Sequence, residues 1–127
     1  MANILIVDDS EMFRQELRDT LNEGGHRIIE SADGLEGLQK AKESQDIDII
    51  ISDFNMPGMN GIEMVRLIKD LPKYETTPVF ILTTETSPEL KKYATQAGVM
   101  AWIVKPFVPE KLLLGIRKVL NSSQHKS

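Results

Sequence analysis

Short apolar runs rich in β-branched residues alternate with amphipathic stretches of helix length along the whole of this chain. A strand that passes through a helix before the next strand has room to cross back over the sheet, which is what parallel pairing requires. Helices then cover both faces, and the strands between them read as nearly continuous apolar runs. The expected fold class is α/β: a doubly wound parallel sheet of five strands with five helices.

The first run, Asn3 to Val7, ends in Asp8-Asp9. Ser10 can cap a helix whose apolar residues Met12, Phe13, Leu17 and Leu21 recur near the helical period, and Gly24-Gly25 stops it. Arg27 to Glu30 reads as a weaker strand, and Asp33 with Glu36 as a capping pair opening a helix from Gly34 to Glu43. Ile47 to Ser52 has the character of a strand buried on both faces, and it ends at Asp53. After the Pro57-Gly58 turn, Asn60 and Glu63 open a third helix carrying Ile62, Val65, Leu67 and Ile68. Val79 to Leu82 predicts a strand ending at Thr83. Ser87-Pro88-Glu89 then starts a helix running to Gly98. Ala101 to Val104 is the fifth strand, and Pro109 opens a last helix ending near Leu120.

At 127 residues the chain suits one domain with one core, expected over residues 1–121 with a polar tail over 122–127. Its 41% hydrophobic and 27% charged residues are ordinary for a folded soluble domain and exclude a largely disordered chain. A net charge of −4 offers no global positive field for nucleic acid or anionic lipid. Without cysteine there is neither disulfide nor thiolate chemistry. No run is long enough to cross a bilayer and no signal peptide is visible, so a cytoplasmic protein is expected.

Polar residues end the strands in a pattern that points to chemistry. Asp8 and Asp9 close the first, Asp53 the third, Thr83 the fourth and Lys105 the fifth. A parallel sheet brings all five to one end, where open α/β sheets bind their ligands. Crowded carboxylates repel one another, so the cluster makes sense around a hard cation such as magnesium, which accepts carboxylate, carbonyl and phosphate oxygens. Arg14, one turn into the first helix on the acidic side, is read as a solvated charge, with balancing of the cluster as the alternative.

In order and spacing, Asp8-Asp9, Asp53-Phe-Asn-Met-Pro-Gly58, Thr83-Thr84 and Lys105-Pro106-Phe107 resemble the receiver domains of two-component response regulators. The likeness covers essentially the whole chain. Asn55, Glu85 and Gln96-Ala-Gly98 make it most similar to stand-alone chemotaxis regulators of the CheY type, with no output domain expected. The resemblance implies strand order 2-1-3-4-5. It makes Asp53 the phosphoacceptor, attacking a phosphohistidine of a sensor histidine kinase of the CheA type. Mg²⁺, with Mn²⁺ as the alternative, would lie on Asp8, Asp9, Asp53 and the Asn55 backbone carbonyl. Lys105, expected to precede a cis bond to Pro106, would pair with a phosphoryl oxygen, and the Thr83 hydroxyl would bond another. Asn55, Thr84 and Glu85 fall where the family tunes its rates. A β-branched Thr84, where a small residue is usual, would narrow the path of the hydrolytic water.

The resemblance also places the output surface on the fourth helix, fifth strand and fifth helix, with Lys91, Trp102, Val104, Leu113 and Lys118 as residues to test. Trp102 occupies the position of an aromatic switch residue, and its indole N–H needs a partner if buried. The run Leu112-Leu-Leu114 exceeds what one helix face needs, and the excess is either a partner patch or packing. Expected partners are the kinase, a flagellar motor switch protein or a phosphotransfer protein, and a phosphatase; the protein is expected to be a monomer that binds no nucleic acid. Three other readings compete. A phosphorelay shuttle or phosphate sink would share the chemistry. A Mg²⁺-dependent aspartyl-phosphate phosphohydrolase would want an Asp-x-Asp motif, where this chain has Asn55. A flavodoxin-like cofactor binder would need a phosphate-cradling loop where Asp8-Asp9 repel phosphate.

Overall fold

The computed structural model describes residues 1–124. Strand β1 (Asn3–Val7) leads into helix α1 (Glu11–Glu23), then β2 (Arg27–Ser31), α2 (Gly34–Glu43), β3 (Ile49–Ser52) and α3 (Gly61–Lys69). A single 3-10 turn (Pro72–Tyr74) precedes β4 (Val79–Thr83), α4 (Pro88–Gln96), β5 (Ala101–Val104) and α5 (Pro109–Gln124). All four strand pairings are parallel, and the sheet order is β2-β1-β3-β4-β5. The chain reverses its direction of travel between β1 and β3. Their carboxyl ends therefore flank the crevice where such folds hold ligands.

Side-chain alternation along the strands sorts the core into two layers. Leu5, Val7, Ile50, Val79 and Ile81 point to one face, against Ala41 of α2, Met64, Val65 and Ile68 of α3, and Ala94 of α4. Ile4, Ile6, Ile49, Ile51, Phe80 and Leu82 point to the other, against Leu17 and Leu21 of α1 and Leu112 and Ile116 of α5. Residues of both sets are buried, as the continuous apolar runs imply.

The helix starts follow the expected chemistry. Ser10, Asp33, Asn60 and Ser87 each accept a backbone N–H of the first turn, and Asn60 with Glu63 forms a reciprocal capping box. Glu36 instead reaches back to the N–H of Ala32, so the second helix has only half of that box.

Several expectations shift. β3 begins at Ile49 rather than Ile47: at the start of the strands the Asp48 carboxylate accepts the Asn3 N–H and the Asp46 carbonyl accepts the Asn3 side-chain amide, so side-chain contacts replace the backbone rung at the Asn3 N–H. Helix α5 continues through Gln124, past the expected end near Leu120, so part of the expected tail is helical and residues 125–127 lie outside the described range. Met12 and Leu67 belong to the apolar periodicity but are exposed, at 81% and 42%. No described helix is long and apolar enough to cross a membrane.

Candidate phosphoacceptor site

The site is built from the carboxyl ends of β1, β3, β4 and β5, as the polar strand ends require. Asp8 follows β1 and is 2% exposed; its backbone N–H donates to the Ser31 carbonyl of the neighbouring strand, which fixes its level in the sheet. Asp53 follows β3 and donates its N–H to the Val7 carbonyl, so both acids are registered by sheet hydrogen bonds and not by loops. Behind Asp53 the chain turns through Pro57-Gly58, where Gly58 takes φ +79°, and enters α3 at Gly61. A methyl group on Gly61 would lie 2.2 Å from the Asp53 carbonyl oxygen. Only glycine lets α3 start this close to Asp53.

Lys105 reaches in from the end of β5. Its Nζ lies 2.8 Å from Asp8 Oδ2 and 3.1 Å from Asp53 Oδ2, and its peptide bond to Pro106 is cis. The other Asp53 oxygen, Oδ1, accepts the N–H of Phe54 at 2.6 Å and that of Asn55 at 3.3 Å. Asp8 Oδ1 accepts the Ser10 N–H. Burial pushes the Asp8 carboxyl above the ordinary carboxylate range despite the opposing pull of Lys105. Burial also works to lower Lys105, but its hydrogen bonds and charge contacts with Asp8 and Asp53 outweigh that and leave the ammonium raised. The lysine is thus held firmly charged beside an Asp8 carboxyl whose burial it does not fully offset.

That imbalance fits a cation. One oxygen each from Asp8, Asp9 and Asp53 lie within 4.8 Å of one another, with Asp8 and Asp53 buried and Asp9 exposed toward solvent. Three hard carboxylate oxygens, one on the open side, suit a magnesium-sized ion that keeps part of its water shell.

Thr83 ends β4, fully buried, with its carbonyl accepting the Lys105 N–H at 2.8 Å and its hydroxyl receiving the Glu85 N–H at 3.4 Å. Glu85 is the node of the β4–α4 loop. Its side chain accepts the Asn55 amide at 2.7 Å, and its backbone carbonyl accepts the Trp102 indole N–H at 2.9 Å. The indole finds the partner it needs, and its ring packs against Phe54 with centroids 6.0 Å apart. Thr84 is exposed beside it.

Four features differ from expectation or escape the sequence. Arg14 is not a solvated charge: it is 15% exposed, donates to the Asp8 carbonyl and pairs with Glu30, which also holds Arg18. Leu113, expected on an output surface, is partly buried. It packs toward Gly24 and His26 on the α1 side, while Leu114 is the exposed leucine of the run, so the excess divides between packing and surface. Lys91, Val104 and Lys118 are exposed, and Val104 borders a groove of about 320 Å³ with Ile103, Pro106, Phe107, Val108 and Lys111. Phe13, read only as a core residue, lies with its ring under the Lys105 ammonium at 3.8 Å from the centroid.

A doubly wound sheet with a carboxylate–lysine pocket at its switch point defines a class of α/β domains built to receive an anionic group beside a cation. Comparison with known proteins narrows the class: the chain belongs to the response regulator receiver family, with residues 4–117 matching the receiver domain. It is 37% identical over 120 residues to a chemotaxis protein CheY homolog of Campylobacter jejuni, covering 94% of this chain and 92% of that one. The structure of the chemotaxis protein CheY4 of Vibrio cholerae superposes with a TM-score of 0.88 at 45% identity, covering 94% and 98%. A receiver domain protein from Clostridium thermocellum superposes with a TM-score of 0.92 at 26% identity over the whole of both chains. The fold class and strand order expected from the sequence agree with these relatives and with the sheet itself.

Proposed function

We propose that Asp53 takes a phosphoryl group from a phosphohistidine of a sensor kinase and that the modified protein changes what its α4–β5–α5 surface binds. The observation that carries this reading is the convergence of Asp8 and Asp53 on the Lys105 ammonium. In the transfer, an Asp53 carboxylate oxygen forms the new O–P bond as the P–N bond breaks. The departing imidazole keeps the electron pair and takes up a proton. Two backbone N–H groups hold Oδ1, which leaves Oδ2 to attack once Lys105 passes to a phosphoryl oxygen. Positioning and charge neutralisation are most of what phosphoryl transfer asks of a protein. Asp8, Asp9 and Asp53, with the Asn55 backbone carbonyl, would hold Mg²⁺ (Mn²⁺ as the alternative), which shields the attacking and phosphoryl oxygens from each other.

The signal would leave through Thr83. A phosphoryl group adds roughly two negative charges and strong acceptors beside its hydroxyl. A threonine that turns to donate to that group gives up the Glu85 N–H, and Glu85 holds both Asn55 and Trp102. The exposed residues beyond are Lys91, Val104, Leu114 and Lys118. Leu114 takes the place of Leu113 as the leucine to test for partner contact.

The similarity to chemotaxis regulators supports a role in flagellar signalling, with a kinase of the CheA type as donor, a motor switch protein as target and a phosphatase to reset the switch. The reading is of a switch that modifies itself and not of a multiple-turnover enzyme, since Asn55 stands where an Asp-x-Asp hydrolase would carry its second acid. Trp102 reports the test. Adding Mg²⁺ and then beryllofluoride should change its fluorescence saturably in the native protein, and the response should vanish in Asp53→Asn. Calorimetry showing no binding of either to the native protein would sink the reading.

A further inference from the structure

Lys105 has a third contact besides its two carboxylates. Its ammonium sits 3.8 Å from the centroid of the Phe13 ring, well inside the roughly 6 Å reach of a cation–π contact. The ring is itself gripped from two sides. Phe107, two residues beyond the lysine, meets it edge-on with centroids 5.7 Å apart and planes at 83°. The Phe13 backbone N–H donates to the Ser10 side chain, and the Ser10 N–H donates to Asp8 Oδ1, so the first turn of α1 is registered to the acid cluster. A residue that merely filled the core would not need its face under the lysine, and Phe13 is only half-buried.

We propose that Phe13 is a positioning residue for phosphoryl transfer, its aromatic face holding the Lys105 ammonium at the mouth of the site while the carboxylates change partners. This rests on the phosphoacceptor reading. When a cation and a phosphoryl group arrive, Asp8 and Asp53 give up oxygens that now bind Lys105. A carboxylate holding the lysine in the interval would attract the cation as well. The ring has no charge and no lone pair to offer a hard ion, yet its quadrupole draws the ammonium. It can keep Lys105 in place without competing for the metal.

The experiment is a double-mutant cycle of Phe13→Leu and Lys105→Met on the full chain, with acetyl phosphate as donor and Mg²⁺ affinity measured separately. Phe13→Leu should slow phosphorylation at saturating Mg²⁺ by roughly 3- to 30-fold while Mg²⁺ affinity moves by less than about two-fold. Phe13→Tyr should restore the rate, and Phe13→Leu should cost little once Lys105 is gone. Trifluorophenylalanine at position 13, which keeps the shape and weakens the quadrupole, covers the case in which leucine disturbs folding, and it should also slow transfer. Equal losses with and without Lys105, or a fluorinated protein as fast as the native one, would overturn the proposal alone. A native protein that takes no phosphoryl group would overturn the phosphoacceptor reading and this proposal with it.

Discussion

The two sides of the acceptor pocket are held in different ways. On one side Asp8, Asp53 and Lys105 form a closed set of ionic contacts on residues whose backbones are registered to neighbouring strands. On the other, the β4–α4 loop is tied down at Glu85 by three single, neutral-donor hydrogen bonds: from Asn55 and Trp102 to Glu85, and from the Glu85 N–H to the Thr83 hydroxyl. Contacts with charged groups on both ends hold more strongly than those with neutral donors, and a short loop has less backbone to hold it than a strand. On the proposed function the contrast divides the labour: the first side would bind and react, and the second would let go. A switch needs both, because a rigid pocket would have no output and a loose one would misplace its nucleophile.

The largest effect should come from breaking the ionic side. Lys105→Met removes the charge that faces the phosphoryl group, and phosphorylation by acetyl phosphate should slow by roughly 10²- to 10³-fold, as when one transition-state donor is deleted. The loop contacts of Glu85 do not involve that side chain, so the Trp102 emission of the resting protein should stay unchanged. A shifted resting spectrum would mean that the two sides are not separable.

Trp102→Phe attacks the other side. It keeps a ring against Phe54 but removes the donor to the Glu85 carbonyl, and urea unfolding should show a loss of about 1 kcal/mol. Phosphorylation should stay within about two-fold of native, since nothing on the ionic side is touched. A large loss of rate would erase the division drawn here.

Thr84→Ala sharpens the comparison at its boundary. Thr84 is exposed on the loop beside the acceptor, and trimming it should speed dephosphorylation by roughly two- to five-fold without changing phosphorylation. Equal phosphoryl lifetimes would remove Thr84 from the path of the hydrolytic water.

The fold was readable because its constraints are local and repeated. Each strand is a short β-branched run, and each helix start carries its own capping residue at Ser10, Asp33, Asn60 or Ser87. The acceptor pocket was readable for a related reason: in a parallel sheet, whatever ends the strands must meet. The contacts of the helices near the pocket were not. Periodicity puts Phe13 on an apolar face but says nothing about an ammonium arriving from a residue 92 positions away, 105 minus 13. Arg14 looked solvated because one acceptor is a backbone carbonyl, which side-chain pattern does not mark, and the other, Glu30, stands on the neighbouring strand 16 residues away. Three consecutive leucines leave the phase of α5 undetermined, and only the neighbouring α1 shows that Leu113 packs inward while Leu114 does not.

Gly61 has a consequence for how this protein can vary. A side-chain carbon there would fall 2.2 Å from the Asp53 carbonyl oxygen, and the Gly61 N–H donates to the Phe54 carbonyl at 2.9 Å, so the start of α3 is closed against the backbone of Asp53. On the proposed function, mutational drift at Thr84 and Glu85 would reshape the loop and retune how long a message lasts. Even one added methyl at position 61 would have to displace the Asp53 backbone, and an ångström of misplacement at a reacting group is worth about a hundredfold in rate. On that reading signal duration is open to inheritance with modification, whereas the aim of Asp53 is closed to it.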